Sequence, residues 1–188
     1  MATQPKSDFV TVDDYLASEE GSTIRHEYIG GQLYAMTGSS DRHNLIATNI
    51  VALWRPRLRG TGCQLFVADM KVRLIIANED IFYYPDVMVC CDANDRATYY
   101  RTRPCLIVEI LSGRTQRIDR REKLLSYQQI ESLQVYLILS QQAIQATVYR
   151  REQHWRPETV TDPQTILELP CAGLELPLAA AYEDVSLP

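Results

Sequence analysis

The stretch PCLIVEILS, Pro104 to Ser112, is apolar almost throughout, yet it carries one ionisable residue, Glu109, inside Leu106-Ile107-Val108-Glu109-Ile110-Leu111. A continuous apolar run of this length reads as a strand buried on both faces. An unpaired carboxylate in such a strand is costly, so it must be neutralised, paired or bound to a cation.

The elements around this strand set its context. A helix is predicted from about Thr115 to Ile130, then a buried strand Val135–Leu139 and a more exposed one, Ala146–Arg150. Upstream, Thr11 caps a short helix to Ser18, with Asp13 and Asp14 in its first turn. Arg25–Ile29 and Gln32–Met36 flank Gly30-Gly31, which tolerates the positive φ of a tight hairpin turn. Gly38-Ser39-Ser40-Asp41 offers caps for a helix with Leu45, Ile46, Ile50, Leu53 and Trp54 at helical spacing, ending near Pro56. Gln64–Val67, Lys71–Ile76 and Ile81–Cys90 read as strands, the last two as neighbours across Ala77–Asp80. The tail Leu174–Leu178 is expected along a sheet edge. This order predicts an α/β (α+β) fold, a mixed central sheet with a helix on each side, as one domain over residues 1–188.

Composition sets bounds on function. Of 188 residues, 46% are hydrophobic and 23% charged, which is ordinary for a globular protein with a real core. A net charge of −5 argues against a generally basic nucleic-acid binder but not against a local basic patch. The opening MATQPKSDFVTVDDYL has no signal-peptide pattern, and no apolar run is long enough for a membrane span. Cys63, Cys90, Cys91, Cys105 and Cys171 show no CxxC pairing, so reduced, mostly buried thiols in a cytoplasmic protein are expected.

Asp86 follows Pro85, which cannot donate to a sheet ladder and so predicts a bulge or bend. If its strand neighbours that of Glu109, the two carboxylates meet at one place. They then share a proton or hold a divalent cation. Such oxygen ligands suit Mg²⁺ or Mn²⁺, and the backbone carbonyl of Ile110 is a further candidate ligand. Taken alone, Glu109 is equally consistent with a structural arginine pair, and Asp86 with a turn or cap. Lys123 falls on a helical stripe with Leu124, Tyr127 and Ile130, where a solvated lysine is out of place. Two readings stay open for it: an ammonium carried to the acids, or a stem covering apolar surface with its head in water.

Asp86 after Pro85, then Glu109 in an apolar strand, then a lysine-bearing helix resembles the PD-(D/E)XK nuclease superfamily. More closely, the chain resembles the Uma-type "putative restriction endonuclease" family, formerly a domain of unknown function. The resemblance rests on RHEYIGGQLYAM, HNLIATNI, DMKVRL, FYYPDVMVCCD, PCLIVEILS, RIDRREKLLSYQQI and LPCAGLELPL in that order. It implies a restriction-endonuclease-like fold and Mg²⁺-dependent phosphodiester hydrolysis, with Asp86 and Glu109 as metal ligands. The superfamily's usual lysine would fall at Leu111, so the standard motif is broken; the Uma-type pattern points to Lys123 instead. Glu27 matches an extra acid beside the site, with an ordinary hairpin acid as the other reading. Gly113 stands where relatives usually have proline. His43, Asp69 and Tyr127 are further candidates, for which a capped first turn, an unassigned role and core packing are the plainer readings.

Arg42–Arg59 holds four arginines and no acid, and Arg96–Lys123 holds eight basic residues against three acids. A basic rim around an acidic metal site suits phosphate-backbone binding. The leading expectation is a metal-dependent DNA endonuclease. A homodimer with one site per subunit would let it cut both strands. The alternatives are a nuclease-fold protein that binds nucleic acid or a partner without cleavage, and a hydrolase of small phosphate esters.

Overall fold

A computed structural model describes residues 9–36, 38–111 and 122–188. Helix α1 (Val12–Gly21) leads into the hairpin β1 (His26–Ile29) and β2 (Gln32–Ala35). Helix α2 (Asp41–Arg57) follows, then β3 (Gln64–Val67), β4 (Lys71–Ile76), β5 (Glu79–Tyr83), β6 (Val87–Cys90), the short β7 (Tyr100–Arg101) and β8 (Pro104–Leu111). Beyond residue 122 come α3 (Leu124–Tyr127), β9 (Val135–Ser140), β10 (Ala146–Arg150), β11 (Pro157–Val160), β12 (Ile166–Leu169), β13 (Leu174–Pro177) and α4 (Leu178–Ala181). Of the helix predicted over 115–130, the part up to residue 121, with Gly113, Arg114, Arg117, Arg120 and Arg121, lies outside the described residues.

The local signals are physical ones. Thr11 and Ser40 cap α1 and α2, their hydroxyls accepting the N–H groups of Asp14 and His43. Gly30 (φ 54°) and Gly31 (φ 91°) turn the β1–β2 hairpin.

The central sheet has the order β11-β10-β9-β8-β6-β3, parallel between β8 and β9 and antiparallel elsewhere. Side chains on β8 alternate between two cores. Leu106, Val108 and Ile110 join α2, the β12–β13 hairpin and α4 on one face. Ile107 and Leu111 join β4, β5 and α3 on the other, and Glu109 shares their parity. Every residue of β8 is buried, which is why its sequence reads as one apolar run rather than an alternating one. A second sheet, β2-β1-β5-β4-β7, packs over the Glu109 side, and α1 closes its far face on Tyr28 and Phe82. The helix expected on that side of the central sheet is therefore joined by a whole sheet.

Three expectations are corrected. The strand read as Ile81–Cys90 is two strands in two different sheets, because Pro85 interrupts pairing and the chain crosses between layers at Tyr84-Pro85-Asp86. Strand β10 is buried throughout rather than more exposed, since β9 and β11 cover both of its edges. The tail does not follow a sheet edge: β13 pairs with β12 and packs into the core, where the Trp54 indole N–H donates to the Glu175 carbonyl at 2.9 Å.

The cysteines also differ from the expected reduced thiols. Cys63 is bonded to Cys91 and Cys105 to Cys171, leaving only Cys90 free. Strand register explains the first pair: Gln64 faces Cys90, so Cys63 and Cys91 meet at the next step of the ladder. At sequence separations of 28 and 66, neither pair has a spacing that a sequence could signal.

Candidate active site

The β6–β8 ladder pairs Val87 with Val108, so Asp86 and Glu109 sit opposite one another one step beyond its last pair. The Pro85 bend frees Asp86 from the ladder. Its Oδ2 accepts the backbone N–H of Ile110 at 2.6 Å and lies 3.1 Å from His43 Nε2. That backbone bond takes the place of the strand partner that β6 no longer supplies to Ile110.

Lys123 immediately precedes α3, with its side chain turned inward and only 7% exposed. Its Nζ is 3.1 Å from Glu109 Oε1 and 2.9 Å from Glu27 Oε1. Glu27 reaches it from β1: Tyr28 pairs with Phe82, which sets Glu27 opposite Tyr83 on the face toward α3. The ammonium also lies 5.4 Å from the centroid of the Tyr83 ring. One turn on, the Tyr127 hydroxyl donates to Glu109 Oε1 at 2.9 Å. Tyr127 is fully buried between Tyr83 and Tyr136. Burial, reinforced by the Glu109 charge, pushes its hydroxyl well above the usual tyrosine range, so it stays a neutral donor.

The structure thus brings together Glu27, Asp86, Glu109, Lys123, Ile110, His43 and Tyr127. Lys123 is no surface lysine covering apolar groups, and Glu27 is no free hairpin acid. Asp69 lies apart, in an exposed pair with Arg25. The His43–Asp86 contact was hidden in the sequence, where His43 is only a first-turn helix residue; its ring aims back over the helix start toward the Pro85 bend.

Among the described residues, Glu27 and Glu109 face the Lys123 ammonium and Asp86 faces the His43 imidazole, and these side chains are 5–17% exposed. Hard oxygen donors on neighbouring strands, as Asp86 and Glu109 are, suit a divalent cation of the Mg²⁺ or Mn²⁺ type.

The predicted basic rim is only partly available. Arg101 is buried, with its guanidinium 4.5 Å from the Phe66 ring centroid. Arg103 pairs with Asp92 and Arg57 with Glu175, while Arg42 donates to the Ser186 carbonyl. Arg55, on α2, and Arg59, in the turn just after it, are exposed.

A mixed sheet with acids at the facing ends of two neighbouring strands, and a lysine brought to them by the following helix, defines a restriction-endonuclease-like nuclease fold. The chain belongs to the Uma2 family, described as "Putative restriction endonuclease", which it matches over residues 12–179. It is 35% identical over 154 residues to uncharacterized protein slr1290 of Synechocystis sp., covering 80% of each chain. It is 32% identical over 151 residues to uncharacterized protein sll1609 of the same organism, covering 78% of this chain and 84% of the other. Its fold is similar to the crystal structure of a putative nuclease of DUF820 from Anabaena variabilis, with a TM-score of 0.73 at 17% identity, over 93% of this chain and 98% of that one.

Proposed function

We propose that this protein is a divalent-metal-dependent endonuclease that hydrolyses DNA phosphodiester bonds. The observation that carries the reading is the buried Lys123 ammonium held between Glu109 and Glu27, with Asp86 opposite Glu109 on the neighbouring strand. Asp86 and Glu109 would hold Mg²⁺ or Mn²⁺. The N–H and C=O of a strand residue point to the same edge, so the Ile110 N–H bond to Asp86 supports its carbonyl as a third ligand. When bound, the metal supplies Lewis-acid stabilisation of charge building on the phosphate.

The chain's own groups then divide the work. Lys123 Nζ, fixed by two carboxylates, orients the attacking water and offsets charge on the pentavalent phosphorus centre. Tyr127 holds Glu109 in one rotamer and leaves Lys123 a fixed direction. His43 and the Ile110 N–H fix Asp86 from two sides. Arg55 and Arg59, with the arginines outside the described residues, would track the phosphate backbone. A dimer with one site per subunit would cut both strands of a duplex.

The test is plasmid nicking in Mg²⁺ or Mn²⁺. Wild type should nick, Glu109→Ala should not, and Lys123→Ala should lose about two orders of magnitude or more, the usual contribution of a positioned acid–base group. Equal cutting by wild type and Glu109→Ala would assign the activity to a contaminant. Metal and DNA binding without cleavage would instead identify a nuclease-fold binding protein.

A further inference from the structure

Away from the carboxylates, four cysteines converge from four parts of the chain. Cys63 precedes β3, Cys91 follows β6, Cys105 is the second residue of β8 and Cys171 lies in the turn between β12 and β13. The two disulfides are not separate features. Cys91 Sγ is 3.6 Å from Cys105 Sγ, and the sulfurs of Cys91, Cys105 and Cys171 all lie within 4.8 Å of one another. With Zn–S near 2.3 Å, a tetrahedral tetrathiolate places its sulfurs about 3.8 Å apart. The Cys91–Cys105 spacing is already close to that; on reduction the sulfurs within each pair would separate and Cys63, which lies outside the close group of three, would turn in to complete the set.

We infer that in the reduced protein Cys63, Cys91, Cys105 and Cys171 form a tetrathiolate site for a soft divalent cation of the zinc type. The chemistry balances as follows. A dithiol reductant breaks each S–S bond, giving up two electrons and two protons per bond and closing its own disulfide. The cation then displaces four thiol protons and gains four thiolate ligands. Cys105 and Cys171 are buried at 7% and 1% exposure, while Cys91 is exposed. The site is therefore closed on the core side and opens to solvent at the Cys91 end. All four ligands are sulfur and none is left for water, the make-up of a structural rather than a catalytic centre. Cys90 is the internal contrast. It is buried and points into the opposite core, away from the other four sulfurs.

The location gives the site a purpose. β6 and β8 run antiparallel, with Asp86 just before β6 and Glu109 near the end of β8. Cys91 and Cys105 lie at the opposite end of the same two strands. A cation there would tie these strands to β3 and to the β12–β13 turn, holding the ladder that presents the two acids.

Cobalt(II) alone tests this on the full chain, reduced and handled without oxygen. One equivalent per chain should give intense thiolate-to-cobalt charge-transfer absorption and tetrahedral d–d bands, with Zn²⁺ displacing it. The signal should persist in Cys90→Ala and in Glu109→Ala, which excludes the carboxylate site as its source. Cys91→Ser, at an exposed strand end, should bind more weakly by at least the roughly ten-fold that follows even outer-shell changes. In wild type, Zn²⁺ should also protect Cys63, Cys91, Cys105 and Cys171 from alkylation, and a chelator should undo that protection. A fully reduced wild type with no charge-transfer absorption, or undiminished affinity in Cys91→Ser, overturns the inference and leaves two structural disulfides.

Discussion

Replacing Lys123 with methionine keeps most of the side-chain volume and removes the charge. In the wild-type protein the ammonium contacts Glu109 at 3.1 Å and Glu27 at 2.9 Å, and the three side chains are 7%, 5% and 15% exposed. Breaking a buried pair from one side strands its partner, at about 3–5 kcal/mol. Two carboxylates are stranded here, but Glu27 is nearer solvent and Tyr127 still donates to Glu109. A loss near 3–4 kcal/mol at pH 8 is therefore expected, within the same range. The assay is urea unfolding followed by tryptophan fluorescence, in chelator so that no cation substitutes for the ammonium. Lys123→Met combined with Glu27→Gln should cost less than the sum of the two single changes. A deficit below about 1 kcal/mol, the level of an exposed pair, or strict additivity in the double variant, would refute the buried network.

Tyr127→Phe removes a hydrogen bond to a charged group and should cost about 1.5–3 kcal/mol in the same unfolding assay, with nicking reduced more than plasmid binding. His43→Ala removes one of the two contacts that fix Asp86 among the described residues, so the metal concentration needed for half-maximal nicking should rise while far-ultraviolet circular dichroism stays unchanged. At Glu19, burial pushes the carboxyl up, but the Tyr84 hydroxyl (2.6 Å) and the His26 donors outweigh it and hold it below its usual value. A carboxyl depressed in the folded state stabilises above its unfolded pKa, and that stability is lost as pH falls through the folded one. Tyr84→Phe should thus be less stable than wild type near pH 7, with the gap narrowing in acid; a gap that is constant with pH would contradict this.

The residues differ in how far sequence reveals them. Glu109 is conspicuous because β8 is buried on both faces and a single charge breaks the run. Lys123 shows through its apolar stripe, and Asp86 through Pro85. Glu27 carries no local signal, since an acid beside a hairpin turn is usually solvated; only the resemblance to a family pointed to it, and it is drawn in by the Lys123 ammonium that reaches it from the other layer. The His43–Asp86 contact depends on where α2 begins relative to the bend, which periodicity does not encode. The same holds for β10, whose Thr147 and Arg150 read as exposed until β11 and β12 cover them. The cysteine pairs are set by strand register and by a turn far along the chain, so their spacing is silent.

The crossing at Tyr84-Pro85-Asp86 joins the two sheets covalently, and Lys123 joins them again by clasping Glu27 of one and Glu109 of the other. The acidic centre is thus assembled across a seam between layers. Any ligand or mutation that parts the two sheets by even an ångström or so would separate its carboxylates while leaving each sheet hydrogen-bonded within itself. Activity should accordingly report the fit between the sheets and fade in denaturant before the secondary structure does.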